Sequence, residues 1–161
     1  GDNKEIKNGM DIALCKLNRA TRDLEYAGAM NSLYIVRKDD RPIEADNIID
    51  NKNIHKNENC TLFEIKANRD SIGANCQEAS FNNNHIKLEK EDTFYIASDG
   101  FVDQNGGEKD KKFKPKAFRQ MLMDIQSLSL EEQKKEILTI LKNWMGDKEQ
   151  RDDIVLIGVK V

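Results

Sequence analysis

The chain has 161 residues, 34% of them charged, with a formal net charge of −3. That length suffices for one domain with its own core, and so balanced a charge gives no field for gripping nucleic acid or an anionic membrane. No apolar run approaches the roughly 18 residues that span a bilayer, and no signal peptide opens the chain. Cys15, Cys60 and Cys76 are odd in number and lack C-x-x-C spacing, so reduced thiols in a cytoplasmic protein are expected rather than disulfides or zinc.

In chain order, residues 10–17 and 23–29 read as strands joined by a polar turn, and 33–37 as a third, a meander whose Tyr26, Ile35 and Val36 belong in the core. Gly28 marks a bulge or a close backbone approach. Residues 39–59 are polar and asparagine-rich, relieved only by Pro42-Ile43 and Ile48-Ile49; they read as a loop insertion with one short strand. His55 has no acids or thiols at ligand spacing and is expected to be a solvent-exposed bystander. Strand 60–65 follows, then a loop over 68–79 containing Gly73, then strand 81–88, where Ile86 and Leu88 alternate with Lys87 and Glu89 as one wet face requires. His85 is expected to be a hydrogen-bonded strand histidine rather than a general acid.

The most informative stretch is Thr93-Phe94-Tyr95-Ile96-Ala97-Ser98-Asp99-Gly100-Phe101-Val102-Asp103. Its apolar start reads as a strand buried on both faces. Asp99 then stands at the rim, where a carboxylate is costly unless hydrogen-bonded, paired or bound to a metal. Gly100 lets the chain turn or another group come close. Taken alone, Ser-Asp-Gly is equally an ordinary turn. Residues 104–112 form a polar loop without the P-loop pattern, mobile enough to admit a large substrate. Pro115 opens a helix with Phe118, Leu122 and Ile125 on one face. Ser129 and Glu132 make a capping box for a second helix, striped by Ile137, Leu138, Leu141, Trp144 and Met145 and ended by Gly146. Asp152-Asp153 then precede an apolar strand over 154–161. If that strand lies antiparallel to 93–97, Asp99 and Asp152 share one rim. Acids gathered there repel one another unless a cation neutralises them, and carboxylate oxygens suit Mg²⁺ or Mn²⁺.

The segments Ser98-Asp99-Gly100-Phe101-Val102-Asp103-Gln104 and Arg151-Asp152-Asp153-Ile154-Val155-Leu156-Ile157-Gly158-Val159-Lys160-Val161 resemble the last two metal-binding motifs of the metal-dependent (PPM, type 2C) protein phosphatases. More narrowly, they resemble the bacterial stage II sporulation protein E branch. Gly9-Met10-Asp11-Ile12-Ala13-Leu14-Cys15, Leu24-Glu25-Tyr26-Ala27-Gly28-Ala29 and Asn31-Ser32-Leu33-Tyr34-Ile35-Val36-Arg37 extend the likeness in order, and Ile72-Gly73, Asn84-His85-Ile86 and Gly106-Gly107-Glu108 add to it. The sequence departs from the family in Met30 and Ser32, where relatives have asparagine and proline, and in Asp70-Ser71, where they have a Met-Pro-like pair. Nothing here matches the G-D-x-x-G-H-G-like segment that supplies the aspartate bridging two metals. The chain therefore resembles roughly the C-terminal two-thirds of such a domain.

The resemblance implies an α+β fold, an αββα sandwich completed only in part, with mainly antiparallel sheets and two C-terminal helices. It implies metal-dependent hydrolysis of phosphoserine or phosphothreonine on a signalling protein, such as an anti-sigma-factor antagonist, under the control of an upstream sensor domain that could tether the whole to a membrane. Two or three Mn²⁺ or Mg²⁺ ions would activate water, so no side-chain nucleophile is expected. Asp99 would bind one or both catalytic ions and Asp152 the second. Asp103 would serve a peripheral third, Gly100 would lie among the ligands, and Asp153 would orient water or a ligand. Without the bridging aspartate this chain is expected to be inactive, and an unpaired sheet edge is expected to favour a homo-oligomer. A non-catalytic phosphatase-fold interaction module is the alternative. A two-metal nuclease is disfavoured, because basic patches are lacking.

Overall fold

A computed structural model describes residues 9–45, 51–73 and 80–161. Ile48-Ile49, Cys76 and Gly1-Asp2 lie outside those residues. Strands β1 (Ile12–Asn18) and β2 (Asp23–Ala29) form a hairpin whose turn is stitched by the Asn18 Oδ1, which accepts from the N–H groups of Ala20 and Thr21. β3 (Leu33–Arg37) crosses into a second sheet. Five more strands follow: β4 (Glu44–Ala45), β5 (Ile54–Lys56), β6 (Thr61–Ile65), β7 (Asn84–Lys87) and β8 (Thr93–Ala97). Next come the short helix α1 (Gly100–Asp103), a small hairpin of β9 (Asn105–Gly106) and β10 (Lys111–Lys112), helices α2 (Pro115–Asp124) and α3 (Leu130–Met145), and β11 (Leu156–Lys160).

Among the described residues, one sheet has the order β1-β2-β7-β4 and the other β11-β8-β3-β6-β5, all pairings antiparallel. Period-two alternation sorts the second sheet's side chains onto two apolar faces. Ile35, Phe63 and Phe94 join Leu24, Tyr26 and Ile86 of the first sheet in the space between the sheets. Val36, Leu62 and Tyr95 turn the other way and pack with Phe101, Phe118, Leu122 and Leu141 beneath the helices. The first sheet's outer face is wet, crossed by the pairs Lys16–Glu25 at 2.7 Å and Lys87–Asp23 at 2.8 Å. His85 lies on that face opposite Glu25, 3.3 Å from the Asn83 amide, as a strand histidine should. The described residues therefore form three layers, with helices on one side only.

The described parts of the excursion, residues 39–45 and 51–59, hold more regular structure than their composition suggests. β4 extends the first sheet by pairing with β7, and β5 extends the second by pairing with β6. Arg37 anchors its start: Nε and Nη2 donate to the two Asp92 oxygens at 3.0 and 2.7 Å, and Nη1 donates to the Pro42 carbonyl at 2.7 Å. His55 is not the exposed bystander its neighbours suggest. It lies half-buried on β5 opposite Leu62, its Nε2 is covered and without a hydrogen-bond partner among the described residues, and burial beside Arg119 holds its pKa below the ordinary histidine value.

The helical layer follows the sequence reading closely. Ser129 Oγ accepts from the Glu132 N–H, and the Glu132 carboxylate accepts from the Ser129 N–H at 2.9 Å, a capping box that starts α3. Leu138 departs from the expected stripe and is 45% exposed. Beneath the helices, Tyr95 donates to Gln133 Oε1 and accepts from Gln126 Nε2, both at 2.7 Å. Burial pushes this phenol up to about 12, so it keeps its proton and its donor role at any working pH. Tyr95→Phe leaves two buried amides short of a partner, and the expected loss is about 1–3 kcal/mol, read from urea unfolding.

Candidate metal centre

β11 runs antiparallel to β8 with Leu156 opposite Ala97 and Lys160 opposite Thr93, so the end of β8 and the start of β11 share one rim. The zip continues past both strands. Ser98 N–H donates to the Val155 carbonyl at 3.0 Å, while Ser98 Oγ donates to the Asp153 carbonyl at 2.8 Å and accepts from the Val155 N–H at 3.0 Å. One serine thus ties the segment bearing Asp152 and Asp153 to the segment bearing Asp99.

Gly100 is required here by close approach. A Cβ on it would come within 2.4 Å of the Asp153 carbonyl oxygen, a backbone atom that cannot swing aside. Gly100→Ala is expected to push the 152–153 segment off the rim, costing about 1–3 kcal/mol of stability; a thermal melt checks it, and an unchanged melting temperature would show that the backbone yields freely.

Gln104 makes a second tie. Its side chain is fully buried (0% exposed); Nε2 donates to the Glu149 carbonyl at 3.0 Å and Oε1 accepts from the Arg151 N–H at 3.3 Å. The start of the 104–112 segment is also tied to α3: Trp144 Nε1 donates to the Gln104 carbonyl at 2.9 Å, and the Gly107 N–H donates to the Trp144 carbonyl at 2.8 Å, while residues 107–112 are exposed.

Asp99 sits where β8 meets α1, and its side chain makes no capping bond. Its pKa is raised, first by burial and then by the carboxylates of Asp152, Asp103 and Asp11. Asp103 is one turn further on and pairs with Lys112 at 2.6 Å. Asp152 Oδ1 accepts from the Asp153 N–H at 2.7 Å, leaving the Asp153 side chain exposed. Asp99, Gly100, Asp103, Asp152 and Asp153 therefore all lie on the same rim. Asp11 is the addition that sequence reasoning did not assign; it precedes β1 and accepts from Ser71 Oγ. Beside Asp99 opens a cleft of about 220 Å³ walled by Met30, Ser32, Tyr34, Glu64 and Lys66.

The family model for stage II sporulation protein E (SpoIIE) matches residues 3–161, nearly the whole chain. The chain belongs to the SpoIIE family. Among solved structures it is similar to the SiaA-PP2C domain of Pseudomonas aeruginosa, with 29% identity over 94% of this chain and 51% of that one, at a TM-score of 0.73. The chain spans about half the length of that solved relative. No curated protein matches it. SpoIIE membership and this neighbour establish the PP2C-like fold, a family whose domains are metal-dependent phosphatases.

The residues present suit a hard divalent cation in kind. The donors are carboxylate and carbonyl oxygens, and the Asp99 carboxyl, raised first by burial and then by neighbouring carboxylates, is one whose ionised form a cation would favour. Among the described residues, no three acids, histidines or cysteines close around a common point in the way a finished metal cage does.

Proposed function

We propose that this SpoIIE-family chain carries part of the metal site of a phosphatase acting on phosphoserine or phosphothreonine in a signalling protein, such as an anti-sigma-factor antagonist, with a sensor domain attached upstream. The observation that carries the reading is Asp99, held on the same rim as Asp152 and Asp153 by Ser98 and raised in proton affinity first by burial and then by the acids around it. Mn²⁺ or Mg²⁺, when bound, supplies the charge that acidifies water and offsets charge on the phosphoryl oxygens. Asp99 would hold one or both of the catalytic ions and Asp152 the second. Asp103, paired with Lys112 at 2.6 Å in this structure, would serve a peripheral third. The Gly100 backbone belongs to the same ligand group, and Asp153 orients water or a ligand. Ser98 and Gln104 hold these groups in register from behind.

The test is hydrolysis of p-nitrophenyl phosphate and of a phosphoserine peptide by the full-length protein with Mn²⁺, and again after chelation. Metal-dependent turnover is expected. Absence of turnover by a folded protein that binds Mn²⁺ would overturn the reading. The absence of a closed three-acid group among the described residues favours one other reading, a non-catalytic interaction module. Calorimetry showing no Mn²⁺ binding to the full-length protein would support it.

A further inference from the structure

The cleft that reaches Asp99 also reaches a second charged group of opposite character. Glu64, on β6, is only 4% exposed at its side chain and is gripped from two sides, by Lys66 Nζ at 2.6 Å and by Arg119 Nη1 at 3.1 Å. Tyr34 lies against the same carboxylate, and burial, followed by that charge, drives the phenol's pKa upward. Two cations around one carboxylate leave a positive charge in excess. Arg119 on α2 is 19% exposed, so its part is mainly to hold Glu64, whereas Lys66 is 54% exposed and lines the cleft. A lysine ammonium has three donors. Glu64 takes one and fixes where the others sit.

The cleft is therefore polarised, with the Asp99 carboxyl at one place on its wall and Lys66, held by Glu64, at another, and its 220 Å³ is room for side chains rather than for a folded partner. We propose that Lys66, held by Glu64, is a docking subsite for an acidic side chain flanking the phosphorylated residue of the substrate. This rests on the phosphatase reading, and it adds a preference which that reading does not contain. Glu64 is a positioning residue, because it touches Lys66 and not the substrate.

The experiment uses the full-length protein with Mn²⁺ and fluorescent peptides in which phosphonomethyl-alanine, a non-hydrolysable phosphoserine analogue, replaces the phosphorylated residue. A single glutamate is walked along the peptide on both sides of the analogue, each peptide being paired with its glutamine counterpart, and affinities are read by anisotropy. In one register the glutamate peptide is expected to bind roughly fivefold tighter, the scale of one half-exposed ion pair. Lys66→Ala should bring that ratio to one, and Lys66→Arg should keep it. Equal affinities in every register, a preference that survives Lys66→Ala, or no peptide binding at all would each overturn the subsite. p-Nitrophenyl phosphate, which has no flanking residues, is assayed in parallel. Its failure to turn over while the glutamate preference persists overturns the phosphatase reading and leaves the subsite standing.

Discussion

Asp99→Asn is expected to abolish metal-dependent turnover in the full-length protein by at least about 100-fold, since losing even a residue that merely supports a metal ligand costs 10–100-fold. In the absence of metal the same substitution should stabilise the protein. The Asp99 carboxyl is raised above its ordinary value of 3.8 by burial and by Asp152, Asp103 and Asp11. The sign follows from linkage: a carboxyl with a raised folded pKa binds protons more tightly folded than unfolded. Ionised Asp99 therefore opposes folding at neutral pH, and that opposition is relieved as pH falls through the raised value. Thermal melts of the metal-free protein should show the asparagine variant more stable than wild type at pH 7, with the gap narrowing as pH falls through the raised pKa of Asp99. A variant that loses turnover and is also less stable at pH 7 without metal would show that Asp99 is a structural carboxylate and not a ligand in waiting.

The largest stability loss is expected at the opposite end of β8. Arg37 and Asp92 are 3% and 1% exposed and share two hydrogen bonds, and Asp92 Oδ2 also accepts from the Glu89 N–H at 2.8 Å. Arg37→Ala leaves that carboxylate buried and unpaired and frees the Pro42 carbonyl, with an expected cost of about 3–5 kcal/mol. Against the roughly 5–15 kcal/mol that hold a domain together, this approaches unfolding. Replacing both partners by apolar residues of similar volume, Arg37→Met with Asp92→Leu, should cost much less, because desolvation of two charges is avoided. Urea titrations of the two variants decide it. A double variant as unstable as the single one would mean that the bonds to Pro42 and Glu89, rather than the ion pair, carry the energy.

Elements with strong local signals were legible in the sequence. β2 and β3 occupy the very residues their branched and aromatic content indicates, and the Ser129–Glu132 box starts α3. The shared rim of Asp99 and Asp152 was legible too, because it needs only that two apolar strands pair antiparallel. What stayed hidden depends on contacts far apart in sequence or on segments too short to show a period. α1 is a single turn beginning at glycine. β4 and β5 are two and three residues long within an asparagine-rich run, and they exist because β7 and β6 offer them backbone partners. Asp11 joins the acids through a fold that brings Ser71 to it from 60 residues away. Gln104 looks like any loop glutamine until its amide is found bonded to Glu149 and Arg151.

The brevity of β5 has a consequence for the molecule in a crowded solution. Among the described residues it borders its sheet, and its three residues offer a neighbouring chain only a few free backbone groups, flanked by the exposed charge of Lys56. So short and charged a margin is a poor template for fibril growth. By ending that sheet in a stub, this stretch also guards the protein against aggregation along that border.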